Sequence, residues 1–303
     1  MTRTFGADAR PLTELEATPA TATARGWRLT LRTFARRRLA VVGAILVAIE
    51  VLLAVLAPVL APYPPNTQNF RAVLQPPSAA HWLGTDDLGR DILSRLLHGA
   101  RISLQVGILA VAIAVAVGVP LGLVVGYAGG RLDEVVMRVV DSLMSMPSLV
   151  LALTIAAVLG SGIQNAMIAI GVVSVPTYTR LMRGQVLSVK ENDYVRAIFA
   201  CGAATPRILF RHILPNAVQP IIVQASLGIG FAIITESSLS FIGLGAQPPT
   251  ATWGSMVQVG FQYLETAPWF VMAPAVAIFL AVLGFNLLGD GLRDALDPRL
   301  GER

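Results

Sequence analysis

The sequence predicts an all-α integral membrane protein with six transmembrane helices and both termini on the cytoplasmic side. Three observations carry this. Of 303 residues, 54% are hydrophobic and only 14% charged, and the mean hydropathy of +0.67 lies well above that of soluble domains. Six apolar stretches approach the roughly 20 residues that a helix needs to cross a bilayer core about 30 Å thick. The basic residues fall on alternate connections, as the preference for cytoplasmic Lys and Arg requires.

The first span is expected over residues 39–61, after a basic run "FARRRLAVVG" that superficially resembles a twin-arginine export signal. The apolar run behind it is longer than a signal-peptide core and has no small-x-small cleavage site, so it reads as a retained anchor. The second span is expected over 103–127, with Gly118, Gly122 and Gly126 at four-residue spacing, which lets another helix approach closely, the alternative being a face that lines the substrate path. The third covers 135–159. The fourth, 163–178, is expected to end early at Pro176 and Thr177. The fifth, 217–244, is broken by Pro220, Gly228 and Gly230, and the sixth covers 269–288.

Six arginines between 25 and 38, with Arg131, Arg138, Arg180, Arg183, Lys190, Arg196, Arg207, Arg211, Arg293, Arg299 and Arg303, share the side of the N-terminus. Only Arg71, Arg90, Arg95 and Arg101 lie opposite. An odd number of spans destroys that asymmetry, so both ends belong in the cytoplasm. The opposite side then carries two long loops, in which Trp82, Trp253, Tyr263 and Trp269 suit the membrane interface. In "GTDDLGRD" the ligand alternation and late Glu of an EF-hand are missing. Asp86, Asp87, Asp91, Arg90 and Arg95 are expected to form a local ion-pair network there.

Several classes are disfavoured. The charge of +5 and pI near 10.0 do not mark a nucleic-acid binder, because the basic residues flank apolar runs instead of forming one patch. A single cysteine, Cys201, excludes an internal disulfide, and His81, His98 and His212 have no ligand spacing. The one lysine, Lys190, has no glycine-rich approach, so no phosphate-binding loop is present and ATP must be hydrolysed elsewhere if it is used.

The stretch 194–216, "YVRAIFACGAATPRILFRHILPN", is charged yet lies between apolar spans. Ser188 and Glu191 have capping-box spacing. Tyr194, Ala197, Ile198 and Cys201 recur at helical spacing as an apolar stripe, with Asp193 and Arg196 opposite. Gly202 ends this helix or permits a close backbone contact. Thr205 and Pro206 suit the N-cap and first position of a second helix, which carries Arg207 and Arg211 and runs to Leu214 and Pro215. Two readings stand: a basic connector lying on anionic headgroups, or a short helix that a soluble partner grips.

The same run is similar to the EAA loop of bacterial ABC-importer permeases, whose pattern is Glu-Ala-Ala, three residues, Gly, nine residues, then Ile-x-Leu-Pro. Arg196, Ala197 and Ile198 stand at the Glu-Ala-Ala positions, Gly202 at the glycine, and Leu214 and Pro215 at the Leu-Pro; His212 stands where Ile is expected. "HWLGTDDLGRDILSRLLHGARISL", "ESSLSFIGLGAQPPTATWGSMV" and "FNLLGDGLRDALDPRL" resemble the permease subunits of dipeptide, oligopeptide and nickel importers, specifically the subunit with an extra N-terminal span.

The resemblance implies the type I ABC importer permease fold in a bacterial cytoplasmic membrane and translocation of peptides by alternating access. It implies a second, related permease subunit, two nucleotide-binding ATPases that use ATP and Mg, and an extracytoplasmic solute-binding protein; this chain binds no cofactor or metal of its own and has no catalytic residue. A nickel or other small-solute importer is the alternative within the family, and an ATP-independent secondary transporter the one outside it. The implied organisation is a disordered cytoplasmic tail over 1–25, the extra span and start of the external loop over 26–75, an extracytoplasmic loop over 76–100, and a permease core over 101–290. The coupling loop lies at 188–215 and a cytoplasmic tail at 291–303. Tyr194, Ile198 and Cys201 would anchor the coupling helix in the ATPase, with Arg196 and Arg207 at the rim.

Ionisable residues within spans are costly and mark candidate functional positions. Glu50 is expected to pair with a neighbouring subunit or to be protonated. Asp141 is either hydrated or paired with Arg138. Glu236 is the preferred residue for the translocation pathway, where a carboxylate attracts a peptide ammonium or a nickel complex; the competing reading is helix–helix hydrogen bonding through Ser237 and Ser238.

Overall fold

The computed structural model describes residues 34–35 and 37–296, so the expected tail over 1–25 and residues 297–303 lie outside the described residues. Among the described residues the regular elements are helical, apart from an isolated bridge between Thr85 and Asp91. The helices are α1 (Arg38–Leu60), α2 (Ile92–Ala128), α3 (Gly130–Met144), α4 (Ser148–Leu159), α5 (Ile163–Lys190) and α6 (Asp193–Ala200). There follow α7 (Thr205–Ile208), a π turn (Leu209–Ile213), α8 (Leu214–Ala217), α9 (Gln219–Phe241), α10 (Trp253–Phe261) and α11 (Pro268–Leu296).

Four of these, α1, α2, α9 and α11, are long and apolar enough to cross a membrane, and α3 with α4 makes a fifth if the pair is counted as one span. The expected third span is thus not a straight helix: it bends by 93° between α3 and α4. Pro147 is the physical cause, since it offers no N–H to the carbonyl four residues back and pushes the preceding residue out of the α region. The elbow from Asp141 to Val150 is exposed throughout.

The expected fourth span does not stop at Pro176. Pro176 sits buried inside α5, which continues to Lys190. The Ser174 and Thr179 hydroxyls on either side of it bond back along the helix to Ile170 O (2.8 Å) and Val175 O (3.0 Å). Similarly, α9 runs unbroken through Gly228 and Gly230, and Pro220 falls in its first turn, where its missing donor costs nothing. The second span begins earlier than expected, at Ile92, because Asp91 caps α2, accepting from the Ser94 N–H (2.8 Å) and hydroxyl (2.7 Å). Helix α11 extends to Leu296, so residues 291–296 are helix where a tail was expected.

Helix α2 is the central post. A Cβ added at Gly118, Gly122 or Gly126 would lie 2.8 Å from Tyr178 Cβ, 2.4 Å from Thr179 O and 2.9 Å from Val186 Cβ respectively, so the glycine row is the seam on which α5 packs backbone to backbone. A second seam joins α1 to α11, where Gly43 meets Leu287 and Gly291 meets Ala40. Arg37 and Asp294 pair across it at 3.5 Å, which sets the start of α1 beside the end of α11.

The opposite end is closed by the 61–91 loop and α10. Asp86 accepts from Arg90 Nε (2.6 Å) and lies 3.4 Å from Arg95 Nε, and Asp87 accepts from Arg90 (3.3 Å), as expected from the sequence, whereas Asp91 takes His81 Nδ1 (2.9 Å) and not an arginine. Burial beside Asp86 pushes the Asp87 carboxyl above the usual carboxylate range, partly offset by Arg90. Trp253 is not an interface residue. It is buried, donating Nε1–H to Leu96 O (3.1 Å) and its backbone N–H to Ser103 Oγ (3.2 Å), and so fixes α10 against α2.

Candidate functional site

The stretch from Asp193 to Ala217 projects from the end of α5 as a hairpin of short helices. The capping box expected at Ser188 and Glu191 does not form, because α5 runs through both Ser188 and Lys190, and α6 starts after Asn192. One residue also separates expectation from structure at α7: Ala204 is its N-cap, and Thr205 and Pro206 are its first two residues.

Gly202 ends α6 with φ +77°. Its N–H bonds Phe199 O (2.9 Å), and that of Ala203 bonds Ile198 O (3.4 Å), the two reciprocal bonds of a Schellman turn. Ile198 and Ala203, the pair that makes the apolar contact of such a turn, both pack on the core cluster behind it. A Cβ at Gly202 would meet nothing within 4 Å, so the glycine serves backbone conformation and not close approach.

The inward anchor of α6 is Val195, which is buried with Ile208, Leu209 and Ile213. The expected stripe of Tyr194, Ala197, Ile198 and Cys201 is therefore rotated: Ile198 alone among them is half-buried, while Tyr194, Ala197 and Cys201 are exposed beside Arg196. The shift follows from length, since a helix of two turns takes its facing from the one apolar residue that reaches the core. Tyr194 braces the hairpin, its hydroxyl donating to His212 O (3.4 Å) and accepting from Asn216 Nδ2 (3.2 Å). Arg196 pairs with Glu191 at the surface, and Arg207 and Arg211 are exposed. Leu214 is half-buried and Pro215 exposed, following a π turn closed by Leu214 N–H to Leu209 O. The widened turn gives the Pro215 ring room that a tight α turn denies it.

Sequence reasoning missed two residues here. Phe199 and Phe210 are 68% and 63% exposed, large aromatic rings standing off the hairpin.

The two candidate pathway carboxylates lie elsewhere. Asp141 does not pair with Arg138; it bonds Arg180 of α5, and Arg138 takes Glu134 instead (3.0 Å). A neighbouring pair, Asp133 with Arg183, straps α3 to α5 and draws the Asp133 carboxylate against a guanidinium at 2.6 Å. Glu236 sits within α9. It is fully buried, and its Oε1 accepts from Ser240 (2.7 Å), not from Ser237 or Ser238, which bond back to Ile233 O and Ile234 O. Glu50 is half-buried, with one carboxylate oxygen enclosed and unpartnered.

A profile described as the binding-protein-dependent transport system inner membrane component matches residues 118–302. The chain belongs to this family. A second profile, the N-terminal transmembrane domain of oligopeptide transport permease C, matches residues 26–77. Among curated relatives, a dipeptide transport system permease protein of Escherichia coli K12 is 50% identical over 273 residues, 88% of this chain and 91% of that one. Another from Alkalihalophilus pseudofirmus is 47% identical over 276 residues, 90% of each chain. A glutathione transport system permease protein of Pectobacterium atrosepticum is 46% identical over 275 residues, 90% of this chain and 91% of that one. The inward-facing MetNI methionine ABC transporter shares the fold, with a TM-score of 0.55 at 20% identity, covering 67% of this chain and 96% of the matched chain. The protein is accordingly a multi-pass inner-membrane permease of an ABC importer, a transport subunit and not a catalytic one. Membership implies ATPase and binding-protein partners.

Proposed function

We propose that this permease carries peptides inward as one of two related permease subunits, crosses the membrane six times with both termini cytoplasmic, and is driven by ATPases that grip the α6–α8 hairpin. The observation that carries this is the hairpin itself. It presents exposed Phe199, Phe210, Tyr194 and Arg207 on a base fixed to the bundle by Val195 and the Gly202 turn. A lipid-surface connector needs no rigid base; a partner's groove uses one, with aromatic anchors at the centre and arginines at the rim.

The six crossings are α1, α2, the bent α3–α4 pair, α5, α9 and α11. Helix α5 falls short in hydropathy because Ser174, Thr177, Thr179, Arg180 and Arg183 interrupt it, but its 28 residues extend about 42 Å, ample for a bilayer. Adjacency of the α1 start and the α11 end supports termini on one side. In this reading ATP and Mg are bound by the ATPases, and Ala197, Ile198, Cys201, Gly202, Leu214 and Pro215 shape the hairpin they hold. Peptide cargo is supported by relatives named for dipeptide and glutathione transport. Purification of the tagged chain from native membranes in mild detergent, with mass spectrometry of what accompanies it, tests the assembly. A second permease, an ATPase and a solute-binding protein carrying peptide are expected. A folded chain that emerges alone refutes it.

A further inference from the structure

Two cavities lie against α5 and α9. One, of about 460 Å³, is lined by Leu181, Gln219, Val223, Arg293 and Leu296. The other, of about 340 Å³, is lined by Ser148, Ser174, Thr177, Gly228 and Phe231. Both include Gln224 and Leu227, so they adjoin along α9, and together this groove reaches from Leu296 of α11 to Phe231. Twelve residues of α9 separate Gln219 from Phe231, a rise of about 18 Å. An extended dipeptide spans roughly 7 Å, so the groove takes a short peptide lengthwise.

Its chemistry is selective. The lining contains no carboxylate, imidazole or thiol, and its one charge is the Arg293 guanidinium. The Thr177 hydroxyl and the Gln224 side-chain amide have no hydrogen-bond partner among the described residues, although the Gln224 backbone carbonyl accepts from Tyr178 (3.3 Å). Groups of this kind turned to hydrocarbon are costly, so residues on the outer face of a membrane helix pair are expected to be apolar. Here neutral donors and acceptors recur on both helices instead.

Building on the peptide-import reading, we infer that this groove is the chain's own part of the solute path, and that Ser174, Thr177 and Gln224 engage the solute through neutral hydrogen bonds to amide groups. Uncharged amide and hydroxyl groups match a peptide backbone whatever its side chains. A nickel ion finds no carboxylate, imidazole or thiolate here, and the Arg293 guanidinium favours a solute with a carboxylate over a cation.

The test uses the assembled importer in membrane vesicles. Cys201→Ser removes the chain's one cysteine, and Ser174→Cys, Thr177→Cys and Gln224→Cys are then introduced singly, with Val106→Cys, at a fully buried position of α2, as the control. Each variant is retained only if it co-purifies with its ATPase. A membrane-impermeant methanethiosulfonate is added with and without dipeptide, binding protein and ATP, and the mass of this chain is followed. The three groove positions are expected to label, several-fold more slowly while dipeptide is being carried, and Val106→Cys not to label. Absence of labelling with cross-linking to a second permease makes the groove a subunit interface and overturns the inference. Labelling indifferent to turnover overturns it as well. Protection by a solute other than peptide, in an importer that takes up no peptide, leaves the groove standing and refutes the peptide reading.

Discussion

Replacing Gly202 isolates what the hairpin's backbone contributes to coupling. At φ +77° a residue with a Cβ is strained, yet the surrounding space is empty to 4 Å, so an added methyl group meets no neighbour. The left-handed conformation costs an L-residue about 1–2 kcal/mol, and Ala recovers about 0.4–1 kcal/mol through the unfolded chain, leaving roughly 1 kcal/mol, about a fivefold shift toward a frayed α6 end. Fraying loosens Ile198 and Ala203 from the core and softens the lever between ATPase and bundle. In proteoliposomes with binding protein, Gly202→Ala is expected to lower solute carried per ATP hydrolysed while ATPase activity persists. Gly202→Asn adds more bulk but tolerates this conformation, so it should retain more coupling than Ala. If Asn and Ala couple equally well, or both match Gly, backbone conformation at Gly202 is not what coupling requires and the reasoning fails.

Gly122→Leu places a Cβ 2.4 Å from Thr179 O, so α2 and α5 must separate by about 1 Å at an overpacking cost of roughly 1–3 kcal/mol; lower thermal stability in detergent is expected, and unchanged melting would contradict the packing described. Burial raises the Asp87 carboxyl, so the folded loop holds that proton more tightly than the unfolded chain does. The associated stability is complete below the ordinary carboxylate range and lost as pH rises through the raised value, so Asp87→Asn should increase the melting temperature at neutral pH and lose that advantage in acid. A lower melting temperature at neutral pH would show that the Arg90 contact outweighs burial. Glu236→Gln keeps a group that can bond Ser240 and should leave substrate preference unaltered in uptake assays; a changed preference would place Glu236 on the pathway after all.

Sequence alone was sufficient for whatever depends on composition and local spacing. Hydropathy found α1 within a residue of each end, the glycine row of α2 announced a close seam, and Gly202 was marked as a helix end. These follow because lipid compatibility, missing side chains and positive φ are properties of single residues or single helices. Tertiary structure decided the rest. Pro147 broke its span and Pro176 did not, although both are prolines in apolar runs; the difference is that Pro176 is buried within the bundle, whereas the Pro147 elbow is exposed. Val195 rather than Tyr194 became the anchor of α6 because only docking against Ile208 and Ile213 selects one face of a two-turn helix. The groove of Ser174, Thr177 and Gln224 arises from two helices almost fifty residues apart in sequence, and neutral polar residues in a span carry no local mark that separates a pathway from a packing contact. Spacing along the chain fixes which residues can share a helix face, and only the packing of helices fixes what that face meets.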